Sequence, residues 1–414
     1  MTITEDIKDI ISINIKPRYD SWCDQFTRIF MVKLMTVGAL ILGMNWYSDK
    51  FTCVVPSTLD LDVGFVSQAC WINGLYVYEE IRYHADDVGY YGIPTDMTLD
   101  GIHPQSGEMC ATINVAHKIT DNCKPMKKTF FLQFQYMTFV MALLALLYYF
   151  PYAIHRLVNE DLGHLQDTMM EETVDAEEVV KNFFNKKYNM GYRMRMRIFG
   201  SIIVKVLYIA CNLFAFLALD FLLNHQYMTY GVKWINWVQL PNEIAYDYMG
   251  VRHYPKPGNE LLPAFGFCDV REASRDMKQV VTNKHRFICE ISPHTLYQYT
   301  FIVTWFFMIL STLISMLGFL LQIFDHAFTI PCFLKSDENA RKMYSNMTLR
   351  ECQYLEFIQQ NDMTLYENVL QKLKEERYCA MVGTLTKSQK MMLMSPSGDT
   401  TPLFNGNTME MKEN

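Results

Sequence analysis

Residues 129–154 read TFFLQFQYMTFVMALLALLYYFPYAI, twenty-six positions without Asp, Glu, Lys or Arg. A helix rises about 1.5 Å per residue and the hydrocarbon core of a bilayer is about 30 Å thick, so this run crosses a membrane with residues to spare. Lys127 and Lys128 precede it and Arg156 follows it. Such long cationic side chains reach back to the headgroups. The competing reading is a helix buried in a large soluble core, but soluble helices seldom run this long without a charged face.

Outward from that run, apolar and polar stretches alternate along all 414 residues, half of them hydrophobic. The pattern predicts an all-α polytopic membrane protein with four spans, at 29–47, 129–154, 198–223 and 296–324. The first span carries one charge, Lys33, about a turn inside it. A lysine there either snorkels to the near surface or faces a water-filled path. Lys205 lies in the first half of the third span and Asp220 at its far end. No small-residue cleavage site precedes the first span, so that helix serves as its own insertion signal.

Between the spans lie two long polar loops, 48–128 and 224–295, and a shorter polar segment, 155–197. Gly89, Gly92, Pro94, Gly101, Pro104 and Gly107 make extended helix improbable in the middle of the first loop. The amino-terminal segment 1–28 starts amphipathically. Thr2 and Glu5 have capping-box spacing, and Ile3, Ile7, Ile10 and Ile11 share one helix face. The tail reads as a charged helical segment, 325–381, then a Ser-, Thr-, Gly-, Asn- and Met-rich disordered end, 382–414. The helical tail is expected to pack with 155–197.

Four spans put both termini on one side and both loops on the other. Lys and Arg near the span ends are almost evenly divided, so charge orients the chain weakly. Cysteine usage decides more. Six of the eleven cysteines lie in the loops: Cys53, Cys70, Cys110 and Cys123 in the first, Cys268 and Cys289 in the second. Disulfides persist outside the cell. Both loops are therefore expected outside and both termini in the cytosol, where Cys23, Cys332, Cys352 and Cys379 are free thiols. The one glycosylation sequon, Asn346-Met347-Thr348, then faces the cytosol. Six cysteines allow fifteen pairings, and the residues alone do not choose among them. His103, Cys110, His117 and Cys123 are also suitable zinc ligands, but their spacing fits no compact metal pattern.

Several stretches, in order, resemble the innexins. Cys53-Val54-Val55-Pro56 and Cys70-Trp71-Ile72-Asn73 are similar to the Cys-x-x-Pro and Cys-Trp pair of that family's first outer loop. Gln135-Tyr136, running on through Ala145 to Pro151, resembles its second-helix signature. Leu219-Asp220-Phe221-Leu222-Leu223 with Tyr230-Gly231, and Cys268 to Cys289 followed by Trp305-Phe306-Phe307, continue the match over roughly residues 15–335. The chain departs from the signature at Gln133, Phe134, Tyr136 and Thr138. The last stands where the family has a kinking proline. The extra pair Cys110 and Cys123 is a second departure. Connexins place three closely spaced cysteines in each outer loop, and this chain does not.

The resemblance implies loops stapled to each other, Cys53 to Cys289 and Cys70 to Cys268, with Cys110 to Cys123 local to the first loop. It implies a gap-junction channel subunit passing ions and small molecules between adjacent cells. The subunits would form an octameric ring with like or related innexin-type chains, and that ring would dock onto one in the neighbouring cell. The amino-terminal helix and first span would line the pore, with Glu5, Asp6, Asp9 and Lys33 facing it and the carboxylates favouring cations. An undocked hemichannel in one plasma membrane and a non-conducting tetraspan adhesion or scaffold protein are the alternatives. Membrane lipid is an expected partner. The net charge of −7 gives no reason to expect nucleic acid. No Gly-rich phosphate loop, His-Glu-x-x-His or nucleophile elbow occurs, so neither an enzyme nor a cofactor is expected.

Overall fold

The computed structural model describes residues 20–48, 51–59, 61–82, 88–112, 122–170, 174–185, 191–245, 256–275, 280–292, 294–324, 326 and 347–375. Among these, four helices are long and apolar enough to cross a membrane: Trp22–Gly43, Gln133–Val158, Gly191–Leu222 and His294–Phe324.

The first helix, α1, opens at Trp22–Gln25, widens into a π-helical turn over Phe26–Met31 and continues as Val32–Ser48. It thus starts seven residues before the expected 29. The polar positions Asp24 and Arg28 belong to the helix, because Asp24 is paired with Lys205 of a neighbouring helix and Arg28 with Asp20, just ahead of its own helix, rather than with water. Strand β1 (Thr52–Cys53), helix α2 (Val63–Asn73) and strands β2 (Leu75–Tyr78), β3 (Val88–Tyr90), β4 (Ile93–Pro94), β5 (Gly101–Ile102), β6 (Met109–Cys110), β7 (Lys124–Pro125) and β8 (Lys128–Phe131) make up the first loop. The second spanning helix, α3, covers Gln133–Val158. It begins four residues after the expected 129, since Thr129, Phe130 and Phe131 pair as strand with Val77, Tyr76 and Leu75. An apolar run suits a buried strand as well as a helix, and hydropathy cannot separate them at this length.

After α3 come α4 (Glu160–Met169) and α5 (Ala176–Val179), the latter running into a π-helical turn at Val180–Phe184. Helix α6, Gly191–Leu222, starts seven residues before the expected 198 and takes in Arg193, Arg195 and Arg197. It ends where Asn224 and His225 adopt positive φ, 54° and 59°. The second loop is more helical than its polarity suggested. It contains α7 (Tyr227–Val238), α8 (Asn242–Ala245) and α9 (Pro257–Leu261), then the long hairpin of β9 (Phe265–Arg275) and β10 (Val280–Glu290). Asp220 helps to start α7: its Oδ1 accepts from the Met228 amide at 2.8 Å. Helix α10, His294–Phe324, is the last span.

The loops share one five-stranded sheet, ordered β1-β10-β9-β2-β8. Three of its strands come from the first loop and two from the second, so neither loop can form it alone. Below the sheet, Phe51, Trp71 and Phe134 meet with ring centroids 4.7–5.3 Å apart. The Gln135 amide donates to the carbonyl oxygens of Trp71 and Ile72, at 2.5 and 3.2 Å, seating the Cys-Trp stretch on the end of α3. Helix α7 lies against α10, with Tyr227 and Tyr230 donating to the Phe301 and Gln298 carbonyls. A Cβ on Gly231 would fall 2.1 Å from the Trp305 ring, so only glycine allows this approach.

The chain divides into two compact units, 1–163 with 197–329, and 164–196 with 330–414. Within the second, α11 (Leu349–Asn361) opens on a capping box between Thr348 and Glu351. A further helix covers 363–375. Tyr354 packs on Phe183 and Phe184, with centroids 5.8 and 6.1 Å away. The tail and part of 155–197 therefore share one core.

Candidate functional site

Two polar constellations stand out in the first unit. One is in the sheet and the other is inside the helix bundle.

The sheet is closed by covalent bonds. Cys53 lies opposite Cys289 in the β1–β10 register, and their sulfurs are bonded. Cys70, on α2, is bonded to Cys268 on β9. These two bonds tie the loops together across sequence separations of 236 and 198 residues. Cys110 and Cys123, 13 residues apart, close a local ring in the three-stranded sheet β6-β5-β7. Their sulfurs are spent on each other, so the His103, Cys110, His117 and Cys123 set offers no thiolate. His117 lies outside the described residues, and His103 Nδ1 accepts from the amides of Gln105 and Ser106.

Asp269 is the polar centre of this sheet. Tyr76 Oη donates to it at 2.8 Å from β2, and Lys128 Nζ at 2.9 Å from β8. Lys284 and Arg286 reach it from β10 at 3.1 and 3.5 Å. Burial works against the carboxylate, but hydrogen bonds from Lys128, Tyr76 and Lys284 outweigh it and hold Asp269 at about 2. Burial pushes Tyr78 up to about 12, so it stays a neutral phenol. Arg286 also donates to the Met97 carbonyl at 3.1 Å, linking the sheet to the first loop's outer part. Lys127 and Lys128, which precede the second span, thus have partners in the loops: Glu79 of the first for Lys127 and Asp269 of the second for Lys128.

The second constellation was not visible as a site in the sequence. Asp20, Asp24 and Arg28 recur every four residues and so share a helix face. That spacing was the available signal, but the hydropathy boundary left all three in the amino-terminal segment. Asp20 pairs with Arg28 at 3.0 Å and lies 3.4 Å from His155 of α3. Asp24 pairs with Lys205 of α6, and Ser21 joins both: Lys205 donates to its Oγ at 2.6 Å, and Ser21 donates to Asp24 at 2.8 Å. The Arg28 guanidinium lies over the Tyr152 ring, 4.0 Å from its centroid. One face along, Thr27 meets Ser311 and Ser315 of α10 at 3.4 and 3.2 Å, and Asn212 of α6 donates to Ser315 at 3.0 Å. The first helix and the residues just ahead of it therefore contact all three other spans through polar groups, in and immediately before the π-helical turn. Two carboxylates face two fixed cations, and all four side chains are nearly removed from solvent. Ionisable groups at membrane depth persist where they are paired and commonly serve function. π-Helical turns also concentrate at functional sites.

Of the pore-facing expectations, Glu5, Asp6 and Asp9 lie outside the described residues. Lys33 is half-buried on α1, two residues past the π-helical turn. Cys23, Cys211 and Cys352 are buried free thiols, whereas Cys332 and Cys379 lie outside the described residues.

A family model described as Innexin matches residues 20–379, nearly the whole chain. Among curated proteins, no match was found.

Proposed function

This chain belongs to the innexin family, and from that premise we propose that it is one subunit of a ring-shaped channel joining adjacent cells. Innexins are multi-pass membrane channel subunits of gap junctions or hemichannels rather than enzymes, and they assemble as oligomers. The finer reading is an octameric ring, homomeric or mixed with related subunits. Both loops face outside, both termini face the cytosol, and a second ring docks from the neighbouring cell. Ions and small molecules would pass down their gradients through the shared conduit. Glu5, Asp6, Asp9 and Lys33 would line its cytosolic part.

The observation that carries this reading is the joint sheet. Cysteines 198 and 236 residues apart bond the two loops into one body on the four helices. A rigid outer face is what docking of two rings needs, because partners that must order on binding lose affinity. The undocked hemichannel is supported by a specific feature, the β6-β5-β7 sheet with its own cystine. It adds structure to the loop that would have to dock.

Paired cells expressing the chain, recorded together and singly, test the proposal. Junctional conductance and dye transfer between cells are expected. Current in single cells without transfer would favour the hemichannel. No current in either arrangement, with the protein at the surface, would overturn the channel reading in favour of an adhesion role. Thiol labelling of intact cells after reduction checks the orientation. Labelling should reach the loop cysteines and spare Cys352.

A further inference from the structure

At the loop end of α10, Lys256 is held by three aromatic rings. Its Nζ lies 5.7 Å from the Trp234 ring centroid, 6.0 Å from that of Trp237 and 5.9 Å from that of Tyr299. Among the described residues Lys256 has no carboxylate partner. The neighbouring Lys233 is satisfied by Glu260. Burial draws the Lys256 ammonium below its usual pKa, and the three rings around it carry no formal negative charge. Two rings of this seat, Trp234 and Trp237, belong to α7, and the third opens it to the outside, since Tyr299 is half exposed.

Tyr299 also heads an apolar stripe. Val303, Phe306 and Leu310 follow it at spacings of four, three and four, and all are exposed. From Tyr299 to Leu310 the helix descends about 16 Å, close to the ~15 Å depth of one leaflet's hydrocarbon. Tryptophan and tyrosine gather where hydrocarbon meets headgroups. A cation lacking a counter-ion, a ring of amphipathic aromatics and a greasy track one leaflet long therefore stack in the order of headgroup, interface and acyl chain.

We propose that Lys256, with the wall formed by Trp234, Trp237 and Tyr299, seats the phosphodiester of a membrane phospholipid whose chains lie along Val303, Phe306 and Leu310. Lys256 forms a charge-assisted contact to the phosphate, and the rings exclude water from it. A second copy of the chain is the other possible cover for the stripe, but an apolar contact there would leave the half-buried ammonium without an anionic partner. The site rests on the chain crossing a membrane, not on the junctional reading, and fails or stands independently of intercellular conductance.

Native mass spectrometry of the assembled full-length protein in detergent tests this, with phosphatidylcholine and a diacylglycerol of the same chains as probes. Phosphatidylcholine should be retained by the wild type and about tenfold more weakly by Lys256→Gln, the size expected for one charge-assisted hydrogen bond. Lys256→Arg should restore most of the binding. Diacylglycerol, which lacks the phosphate, should not respond to either change. Val303→Lys, on the exposed track, should lower phosphatidylcholine retention even if Lys256→Gln disturbs assembly. Equal retention by wild type, Lys256→Gln and Val303→Lys would overturn the proposal. So would a parallel loss of diacylglycerol in Lys256→Gln, or a stripe that cross-links between copies while retention stays unchanged.

Discussion

The sheet of the two loops and the charge cluster of the helix bundle solve the same problem with different chemistry. Each holds together segments far apart in sequence. In the sheet, one cystine joins the neighbouring strands β1 and β10 and another ties β9 to helix α2, and the ion pairs around Asp269 are partly open to water. In the bundle, Asp24 and Lys205 are almost wholly enclosed, and no covalent bond assists them. Where water competes, a charge pair contributes little and a cystine fixes the geometry. Where water is excluded, a charge pair need not be strongly stabilising, but breaking it is costly because one buried charge is left alone. The comparison thus predicts that the sheet depends on its sulfurs and the bundle on charge balance.

The largest effect should come from Cys70→Ser or Cys268→Ser. By loop-closure entropy, a bond spanning 198 residues contributes about 5 kcal/mol and one spanning 13 about 3 kcal/mol. Loss of either long-range bond should abolish surface delivery and junctional current. The double change Cys110→Ser, Cys123→Ser should leave a foldable, weakened protein. Surface biotinylation with paired-cell recording checks both. Equal damage from the local and the long-range pair would break the argument that the sheet is held by joining loops.

The bundle should behave in the opposite manner. Asp24→Asn or Lys205→Met alone should destabilise the purified particle by about 3 kcal/mol, since each strands a charge. The double variant should recover much of that loss, because no unpaired charge remains. No such recovery is available to a cystine, where loss of either sulfur already loses the bond. Thermal unfolding of the four proteins in detergent gives the coupling directly. Additive losses would show that Asp24 and Lys205 are not the linked pair their geometry indicates.

Acid separates the regions again. Asp269 has a folded-state value of about 2 against 3.8 in the unfolded chain, so it takes up protons more readily when unfolded. Its stabilisation is complete above about 3.8 and is lost as pH falls through about 2, roughly 2 kcal/mol in all. Asp269→Asn should flatten stability over that window while leaving the behaviour above pH 5 unchanged in slope. Thermal unfolding between pH 5 and 2 measures it. An unchanged slope in the variant would remove Asp269 from the centre of the sheet.

These contrasts also explain what could be read in the chain beforehand. Four spans were legible because uncharged runs such as 129–154 have few alternatives. Their ends were less legible, because the same residues serve two structures: Thr129 to Phe131 are apolar enough for a span yet complete a strand against Leu75 to Val77. Asp24 and Arg28 misled in the other direction. A charge raises polarity whether or not a partner exists, and the partners here, Lys205 and Asp20, are set by packing. Helix α7 was hidden for a related reason. Tyr227 and Tyr230 turn their hydroxyls toward α10 and Trp234 is buried, so a polar-looking loop becomes a packed helix. The cysteine pairs came from likeness to a family, since six thiols do not choose their own partners.

The smallest predicted effect lies in two adjacent lysines. Lys127 and Lys128 have the same side chain and both pair with a carboxylate, Glu79 and Asp269 respectively. Lys127 is 73% exposed, whereas Lys128 is 29% exposed and lies 3.9 Å from the centroid of the Tyr76 ring. Water screens the first pair, so Lys127→Ala should change unfolding stability by less than about 0.5 kcal/mol. Lys128→Ala removes an ion pair to a hub and a cation over a ring, and should cost about 1–2 kcal/mol. Added salt should narrow the gap only slightly, because the Lys128 contact is shielded by the sheet. If the two substitutions prove equivalent, the sheet's polar centre is no more than surface decoration, and its rigidity is the work of the cystines alone.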